Sequence, residues 1–266
     1  MTATAPVAPP DVPDVDVVSK GNVDIVRLNR PEVRNAVRQR TLDDMELAFR
    51  TTKGRCIIVT GADPAFCSGD DVRELLNGGE GPNGDVPPCP QLPPAADAML
   101  YCDVPIVAAV NGAAVGWGIE IALMSDLRIA SERARFGAIF VLRGLVSDTA
   151  CLGRLASLVG REKATELLLT GDVIDAEEAL RIGLVSKVVP HDDLLDEALA
   201  LAERIASRPP LALRAVKEGL RRAVDPDWAT LGRWVAAMQE ELKLTDDHRE
   251  GVRSFLEKRE PSFKGR

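Results

Sequence analysis

Two glycine-containing turns and one glutamate carry the residue types and the spacing that could do chemistry in this chain. The turns span residues 66–71 (FCSGDD) and 111–118 (NGAAVGWG), and each lies between an apolar run and a helix-like segment. The first residues of a helix have backbone N–H groups without intrahelical partners. If the fold brings the two turns together, two such groups can point at one carbonyl oxygen and stabilise the negative charge of an enolate.

Glu120 is the candidate group for moving a proton beside those donors. It lies in the otherwise apolar segment IEIALM, three residues after Trp117, and this spacing puts the two residues on one helix face. A buried glutamate is costly unless it is paired or used, so we favour a functional role over a surface position. We therefore predict that the Trp117 N–H and the Glu120 carboxylate border the same site.

Asp148 is a second candidate acid, and it precedes a helix-like segment. Because aspartate is a preferred N-cap residue, its simplest role is to accept the N–H of Ala150 or Cys151. Both roles are compatible if the cap faces the site. Asp70 and Asp71 are predicted to be turn and cap residues rather than acids.

The elements that must position these residues follow from the hydrophobic pattern. Strands are predicted at 15–18, 23–28, 56–60, 105–110, 127–130 and 185–189. Helices are predicted at 40–50, directly after 71, and at 119–126, 149–158, 162–169, 176–182 and from 192 to the end, with a Gly- and Pro-rich loop at 78–94. This order predicts an α/β core with a helical appendage.

Composition disfavours several other classes of protein. The 266 residues carry a net charge of −8 with scattered Lys and Arg, so neither nucleic-acid binding nor a membrane-surface role is expected. The N-terminal residues 1–14 lack the features of a secretory signal and predict a disordered leader. Five cysteines without paired spacing favour a cytoplasmic protein, and two histidines give no basis for a metal site. The turn at 111–118 also lacks the dinucleotide-binding spacing.

Six segments together resemble the crotonase superfamily, the enoyl-CoA hydratase/isomerase family. They are VRLNRPEVRNAV (26–37), IIVTGADPAFCSGDDVREL (57–75), PIVAAVNGAAVGWGIEIALMSDLRIAS (105–131), RFGAIFVLRGLVSD (135–148), LLLTGDVIDAEEALRIGLVSKVV (167–189) and EGVRSFLEKREPSFKGR (250–266). The resemblance covers essentially everything after residue 15. Several motifs in the right order and spacing make it far more specific than any one of them.

The resemblance implies a fold, a substrate and an assembly. The fold would be a spiral of ββα units over residues 15–205, followed by a C-terminal α-helical region at 206–266 that drives trimer formation, often as hexamers. The substrate would be an acyl-CoA thioester, with coenzyme A as part of the substrate and no separate cofactor.

The resemblance also implies roles by position. The oxyanion hole would be formed by the N–H groups of Ser68 and Trp117, and Glu120 falls on the first of the family's two hydratase glutamates. The second falls at Phe140, which cannot transfer a proton. Asp148 lies where dienoyl-CoA isomerase-like members carry an acid. The implied substrate- and CoA-binding residues are Arg34, Ala36, Ser68, Asp71, Phe140 and, from a neighbouring subunit, Lys258.

These roles leave more than one reaction open. A single carboxylate suffices to move a double bond, so the sequence favours isomerisation of an enoyl-CoA, whereas hydration would need help from Asp148. Two alternatives remain: an acyl-CoA-binding protein with little catalysis, and a C–C hydrolase or decarboxylase of the same superfamily.

Overall fold

The computed structural model describes residues 13–72 and 92–266, and a six-stranded sheet forms its centre. In spatial order the strands are β1 (Val15–Lys20), β2 (Val23–Leu28), β3 (Cys56–Gly61), β4 (Ile106–Val110), β6 (Leu127–Ser131) and β9 (Lys187–Val189). The first two strands are antiparallel and all other neighbours are parallel. Since both faces of a parallel sheet are covered, β3 and β4 are buried at every residue, as their unbroken apolar sequences predict.

A second sheet has three strands, β5 (Ala113–Val115), β7 (Arg135–Gly137) and β8 (Val173–Asp175). The strand β5 is parallel to β7, and β8 is antiparallel to it. The sequence pattern did not predict these three strands, because three residues are too few to show an alternation.

The helices of the described part surround the larger sheet and form the C-terminal region. They are α1 (Gln39–Thr51), α2 (Pro94–Leu100), α3 (Trp117–Met124), α4 (Ala156–Val159), α5 (Arg161–Thr170), α6 (Ala176–Arg181), α7 (Leu194–Ala206), α8 (Pro210–Ala223), α9 (Trp228–Lys243) and α10 (Asp246–Glu257). A π-helical segment, Cys151–Leu155, runs directly into α4. The predicted interruptions at residues 209–210 and near Pro226 are confirmed, since α8 begins at Pro210 and α9 follows at Trp228.

Two hydrophobic clusters fill the space on either side of the six-stranded sheet. One cluster includes Leu194, Ala198 and Ala202 of α7 with side chains of β2 to β4. The larger one contains α1, α2 and α3 and extends to Trp228 of α9. The predicted α/β core with a helical appendage is therefore confirmed, and α3, which carries Glu120, lies inside the larger cluster.

The boundary predicted for the leader is wrong at one residue. Residues 1–12 lie outside the described part of the chain, but Asp14 is only 3% exposed. Its carboxylate accepts hydrogen bonds from Arg38 Nε at 2.6 Å and from Thr41 Oγ1 at 2.7 Å. Asp14 therefore belongs to the core. Most of the predicted helix after residue 71 and most of the loop at 78–94 lie outside the described residues.

None of the helices in residues 13–72 and 92–266 is long and apolar enough to cross a membrane. The same residues contain no group of three or more His, Cys, Asp and Glu side chains arranged to hold a metal ion.

A substitution at Gly118 tests how closely the two glycine turns are packed. A Cβ at this position would lie 2.2 Å from the carbonyl oxygen of Cys67, which is backbone and cannot give way. We expect Gly118→Ala to lower the free energy of unfolding by at least about 2 kcal/mol, measured by urea denaturation. Gly219→Ala is the matched control, since nothing lies within 4 Å of a Cβ at Gly219 inside α8. We expect this control to stabilise by about 0.5–1 kcal/mol, and equal effects of the two changes would contradict the packing.

Candidate active site

The two glycine turns meet through their backbones, as the sequence analysis requires. The Cys67 N–H donates to the Ala113 carbonyl at 2.9 Å, and the Val115 N–H donates to the Cys67 carbonyl at 3.1 Å. A Cβ at Gly69 would lie 3.8 Å from the backbone nitrogen of Trp117. A Cβ at Gly118 would lie 2.2 Å from the Cys67 carbonyl oxygen, so the approach requires a glycine there. The expectation that the fold brings the two turns together is therefore confirmed.

Trp117 provides one candidate oxyanion donor. It is the first residue of α3, so its N–H has no acceptor within the helix, and it donates to no other backbone carbonyl in the described part of the chain. Its indole is buried at 3% exposure. The N–H lies at the positive end of the α3 dipole, which favours negative charge on a bound oxygen.

The Ser68 N–H is not available as the second donor, because it donates to the carbonyl oxygen of Arg34 at 3.1 Å. The role predicted for Ser68 conflicts with this bond. Val37 forms a β-bridge with this turn: the Val37 N–H donates to the Gly69 carbonyl, and the Asp71 N–H donates to the Val37 carbonyl. The N–H of Asp70 between them has no backbone acceptor among the described residues and faces its own carboxylate.

Glu120 is 2% exposed, and both oxygens of its carboxylate are held by backbone donors. The Ala150 N–H donates to Oε2 at 2.8 Å, and the Cys151 N–H donates to Oε1 at 3.0 Å. These are the N–H groups that the sequence analysis assigned to Asp148 as an N-cap. That assignment is wrong because a carboxylate from α3 caps this helix instead, and Asp148 is left for other contacts.

The environment of Glu120 raises the pKa of its carboxyl group to about 8. Burial is the main cause, the negative charge of Asp148 adds to it, and the N–H groups of Ala150 and Cys151 act in the opposite direction. A carboxyl group that titrates near neutral pH can both accept and return a proton, as a general acid–base requires.

Asp148 and Asp70 complete a group of three interacting acids. Burial raises the pKa of Asp148 to about 6, while the Gln239 amide and the Lys243 charge lower it. Burial and the charge of Asp148 raise the pKa of Asp70 to about 7. Carboxyl groups with pKa values raised in this way are enriched at functional sites.

Phe140 is buried at 6% exposure within the 3₁₀-helix Ile139–Arg143. Its ring belongs to the same hydrophobic cluster as Trp117 and Ile119. The position therefore supplies apolar packing and no proton-transferring group.

The other predicted binding residues have different surroundings. Arg34 is exposed, with a left-handed backbone at φ 55°. Ala36 is buried, and its carbonyl accepts a hydrogen bond from Arg30 Nη1 at 2.7 Å. Asp71 is also buried and forms an ion pair with Arg30 Nη2 at 3.0 Å. These contacts fix the turn, and Lys258 lies exposed at the end of α10.

Sequence reasoning missed two residues of α9 that contribute to the site. Gln239 donates its amide Nε2 to the Val146 carbonyl at 2.7 Å and lies 3.4 Å from Asp148 Oδ1. Lys243, four residues later, lowers the pKa of both Asp148 and Asp70. The buried stripe of α9 is Trp228, Gly232, Val235 and Gln239. A glutamine in this stripe was the signal that could have identified the contact.

Comparisons with known proteins agree with this geometry. The sequence profile of the enoyl-CoA hydratase/isomerase family matches residues 19–266. A probable enoyl-CoA hydratase from Rhizobium meliloti is 37% identical over 94% of this chain and 97% of its own length. The chain belongs to the enoyl-CoA hydratase/isomerase family. It is therefore an acyl-CoA-processing enzyme of the enoyl-CoA hydratase/isomerase type.

Two further relatives have more specific names. The 2,3-dehydroadipyl-CoA hydratase of Escherichia coli is 36% identical over 91% of this chain and 95% of its own length. The crystal structure of carnitinyl-CoA hydratase from Mycobacterium avium superimposes with a TM-score of 0.82 at 36% identity, over 96% of this chain and all of that chain. The crotonase fold expected from the sequence, including the C-terminal helical region, is confirmed.

The coupling between Glu120 and Asp148 makes a testable prediction about protonation. Since burial and the Asp148 charge both raise the Glu120 pKa, we expect a carboxylate infrared band to appear as the pH rises through about 8. Asp148→Asn removes one negative charge, so the same band should appear at lower pH. Glu120→Gln should abolish the band. A band unmoved by Asp148→Asn would contradict the coupling.

Proposed function

We propose that this enzyme moves the double bond of an enoyl-CoA by a proton transfer at Glu120. The observation that supports this proposal most strongly is the position of Glu120. Its carboxylate is fixed by two backbone N–H groups, and it lies three residues after Trp117, whose N–H has no backbone acceptor among the described residues. With phenylalanine at position 140, one carboxylate must both remove the proton from carbon and return it.

The thioester oxygen is held by backbone donors in this mechanism. We propose the N–H groups of Trp117 and Asp70 as the oxyanion hole, in place of the Ser68 N–H that is bonded to Arg34. Both lie in turns that backbone packing has already fixed, so little reorganisation is required when charge develops on the oxygen. Losing one such donor typically raises the barrier by about 3 kcal/mol.

In the proposed reaction, Glu120 removes a proton from the substrate and returns it to the same substrate molecule. The Glu120 carboxylate removes a proton from C2, the carbon between the thioester carbonyl and the C3–C4 double bond, and the electron pair moves onto the thioester oxygen. This gives an enolate bound by the two N–H groups and a neutral Glu120. The same proton is returned to C4, which re-forms the thioester carbonyl, leaves the double bond between C2 and C3 and restores the carboxylate. No water is consumed.

Hydration is the second candidate reaction, and two observations favour it. The relatives from R. meliloti and E. coli are both named as hydratases. Asp148 interacts with Glu120 and its pKa, raised to about 6, lets it take a proton from water at neutral pH. Water would then add with Asp148 in the role that a second glutamate would otherwise have.

The C-terminal helices support the proposal of a trimer or hexamer. Their large apolar side chains in contact with solvent include Leu211, Val216, Leu220, Trp234 and Phe255, each at least 49% exposed. Such a surface is typical of an interface between subunits. Lys258 lies at the end of this region, where we propose that it contacts the CoA phosphate bound by a neighbouring subunit. A monomer in light scattering at micromolar concentration would contradict this assembly.

The two reactions are separated by labelled water. We expect the protein to convert a short trans-3-enoyl-CoA into the trans-2 isomer without incorporating oxygen from H₂¹⁸O, as followed by mass spectrometry and chromatography of the CoA esters. Glu120→Gln should lower turnover by at least ~100-fold with CoA-ester binding retained, because the amide cannot transfer a proton. Glu132→Gln, an exposed glutamate, is the control and should leave turnover unchanged.

The other outcomes have equally defined meanings. Labelled oxygen in the product that disappears in Glu120→Gln would replace isomerisation by hydration. Near-normal turnover of Glu120→Gln would remove Glu120 from the mechanism. Tight binding of several CoA esters without any product would contradict both reactions.

A further inference from the structure

Arg154 contacts the helix that carries Glu120, but at the opposite end of that helix. Its Nη1 donates to the carbonyl oxygens of Leu123 at 3.1 Å and Met124 at 2.9 Å, the last two residues of α3. The last carbonyl groups of a helix have no intrahelical partner, and a cation there complements the negative end of the helix dipole. Arg154 therefore caps the C-terminal end of α3, whereas Glu120 lies in its first turn.

Arg154 also belongs to the segment whose N–H groups hold Glu120. It lies in the π-helical segment Cys151–Leu155, and the two N–H groups that donate to the Glu120 carboxylate are those of Ala150 and Cys151. This segment and α3 are therefore joined at two points, by Glu120 at the start of α3 and by Arg154 at its end. Two such contacts fix both the distance and the rotation between the elements, and π-helical turns are frequent at functional sites.

The guanidinium of Arg154 is held in turn by the linker between α8 and α9. Asp225 accepts from Nε at 3.2 Å through Oδ1 and from Nη2 at 2.6 Å through Oδ2, so the ion pair is bidentate. The indole of Trp228 donates to the same Oδ2 at 3.3 Å, and its ring lies against the segment so closely that a Cβ at Gly153 would be 2.4 Å from it. Because bidentate pairs restrict geometry, the C-terminal helical region fixes the place of Arg154.

We propose that Arg154, held by Asp225, is a positioning residue that sets the orientation of the Glu120 carboxylate. It acts through the placement of α3 against the N–H groups of Ala150 and Cys151. The inference rests on the proposed function, because it takes Glu120 as the group that transfers the proton. It also gives the C-terminal helical region a part in catalysis, since the linker between α8 and α9 supplies the carboxylate that holds Arg154.

The loss of this link moves the titration of Glu120 in a defined direction. Burial and the charge of Asp148 raise the Glu120 pKa to about 8, while the thiol and N–H of Cys151 and the N–H of Ala150 act against that rise. When α3 shifts away from the two N–H groups, their effect weakens and the pKa rises further. This direction is opposite to the one expected for Asp148→Asn.

Two variants separate positioning from a simple change of charge. Asp225→Asn removes a negative charge, which by itself would lower the Glu120 pKa, whereas the loss of positioning raises it. Arg154→Lys keeps the positive charge but cannot form the two-point pair with Asp225. In both variants we expect the infrared band of the Glu120 carboxylate, identified by its absence in Glu120→Gln, to appear at a pH higher by about half a unit or more. We also expect kcat for trans-3-hexenoyl-CoA to fall roughly 10- to 100-fold, with the dissociation constant of hexanoyl-CoA unchanged.

Lys217→Met is the matched control for the loss of a buried ion pair between the C-terminal helices and the core. Lys217 Nζ lies 2.7 Å from Asp126 Oδ2 and donates to the Val104 carbonyl at 2.8 Å, and these partners belong neither to α3 nor to residues 150–155. We expect this variant to unfold at a lower urea concentration than the wild type, while its Glu120 band and its kcat stay at the wild-type values.

The outcomes separate this inference from the proposed function. A band that does not move in Asp225→Asn and Arg154→Lys, or that appears at lower pH in Asp225→Asn, would overturn the positioning. The same rise in Lys217→Met would also overturn it, because the shift would then follow any loss of stability. Wild-type turnover that is lost in Glu120→Gln but unaffected by the two variants would overturn the positioning and leave the proposed function standing. The expected rises in both variants without turnover in the wild type would support the positioning and overturn the catalytic proposal.

Discussion

The active site depends on backbone packing between the two glycine turns. Gly118 has no space for a Cβ because the Cys67 carbonyl lies directly against it, and Gly69 has a φ of +94° and would place a Cβ 3.2 Å from the Val115 carbonyl oxygen. This contact joins the start of α3 to the turn after β3. Each turn extends a strand of the buried sheet, so the positions of the Trp117 and Asp70 N–H groups are fixed before any ligand binds. Preorganised donors of this kind need little rearrangement when charge develops in the transition state.

The second constraint is the carboxylate of Glu120 at the start of the helix that follows Asp148. A helix N-terminus favours negative charge, while burial and the nearby acid favour the neutral form. The opposing effects leave the carboxyl group able to exist in both states near neutral pH. The same hydrogen bonds hold the carboxylate in one orientation. The contact that stabilises the helix therefore also positions the carboxylate that we propose as the proton-transferring group.

The sequence predicted the strands of the six-stranded sheet and the longer helices well because their apolar patterns are long enough to be recognised, whereas the three-residue strands of the second sheet are too short. It also predicted that Glu120 is buried in the same helix start as Trp117, since a charged residue in an apolar helix start is unusual. The sequence did not predict hydrogen bonds between segments that are distant along the chain. Ser68 and Asp70 belong to the same turn, and only the bond from Ser68 to Arg34 shows which N–H is engaged.

The assignment of Asp148 failed for a similar reason. Aspartate before a helix is a good local cap, but Glu120 from α3 reaches the same N–H groups. Gln239 was missed because it lies more than ninety residues from Val146 and Asp148 in sequence. Local propensity gives no information about which side chain from a distant part of the sequence accepts a hydrogen bond from a given N–H group.

The central claim is that Glu120 removes a proton from the carbon next to a thioester held by the two turns. Its most direct test uses a saturated ester, butyryl-CoA, in heavy water, with exchange of the protons next to the thioester followed by proton NMR. The account predicts exchange catalysed by the wild-type protein and at least ~100-fold slower exchange in Glu120→Gln. Exchange at the wild-type rate in Glu120→Gln would contradict it.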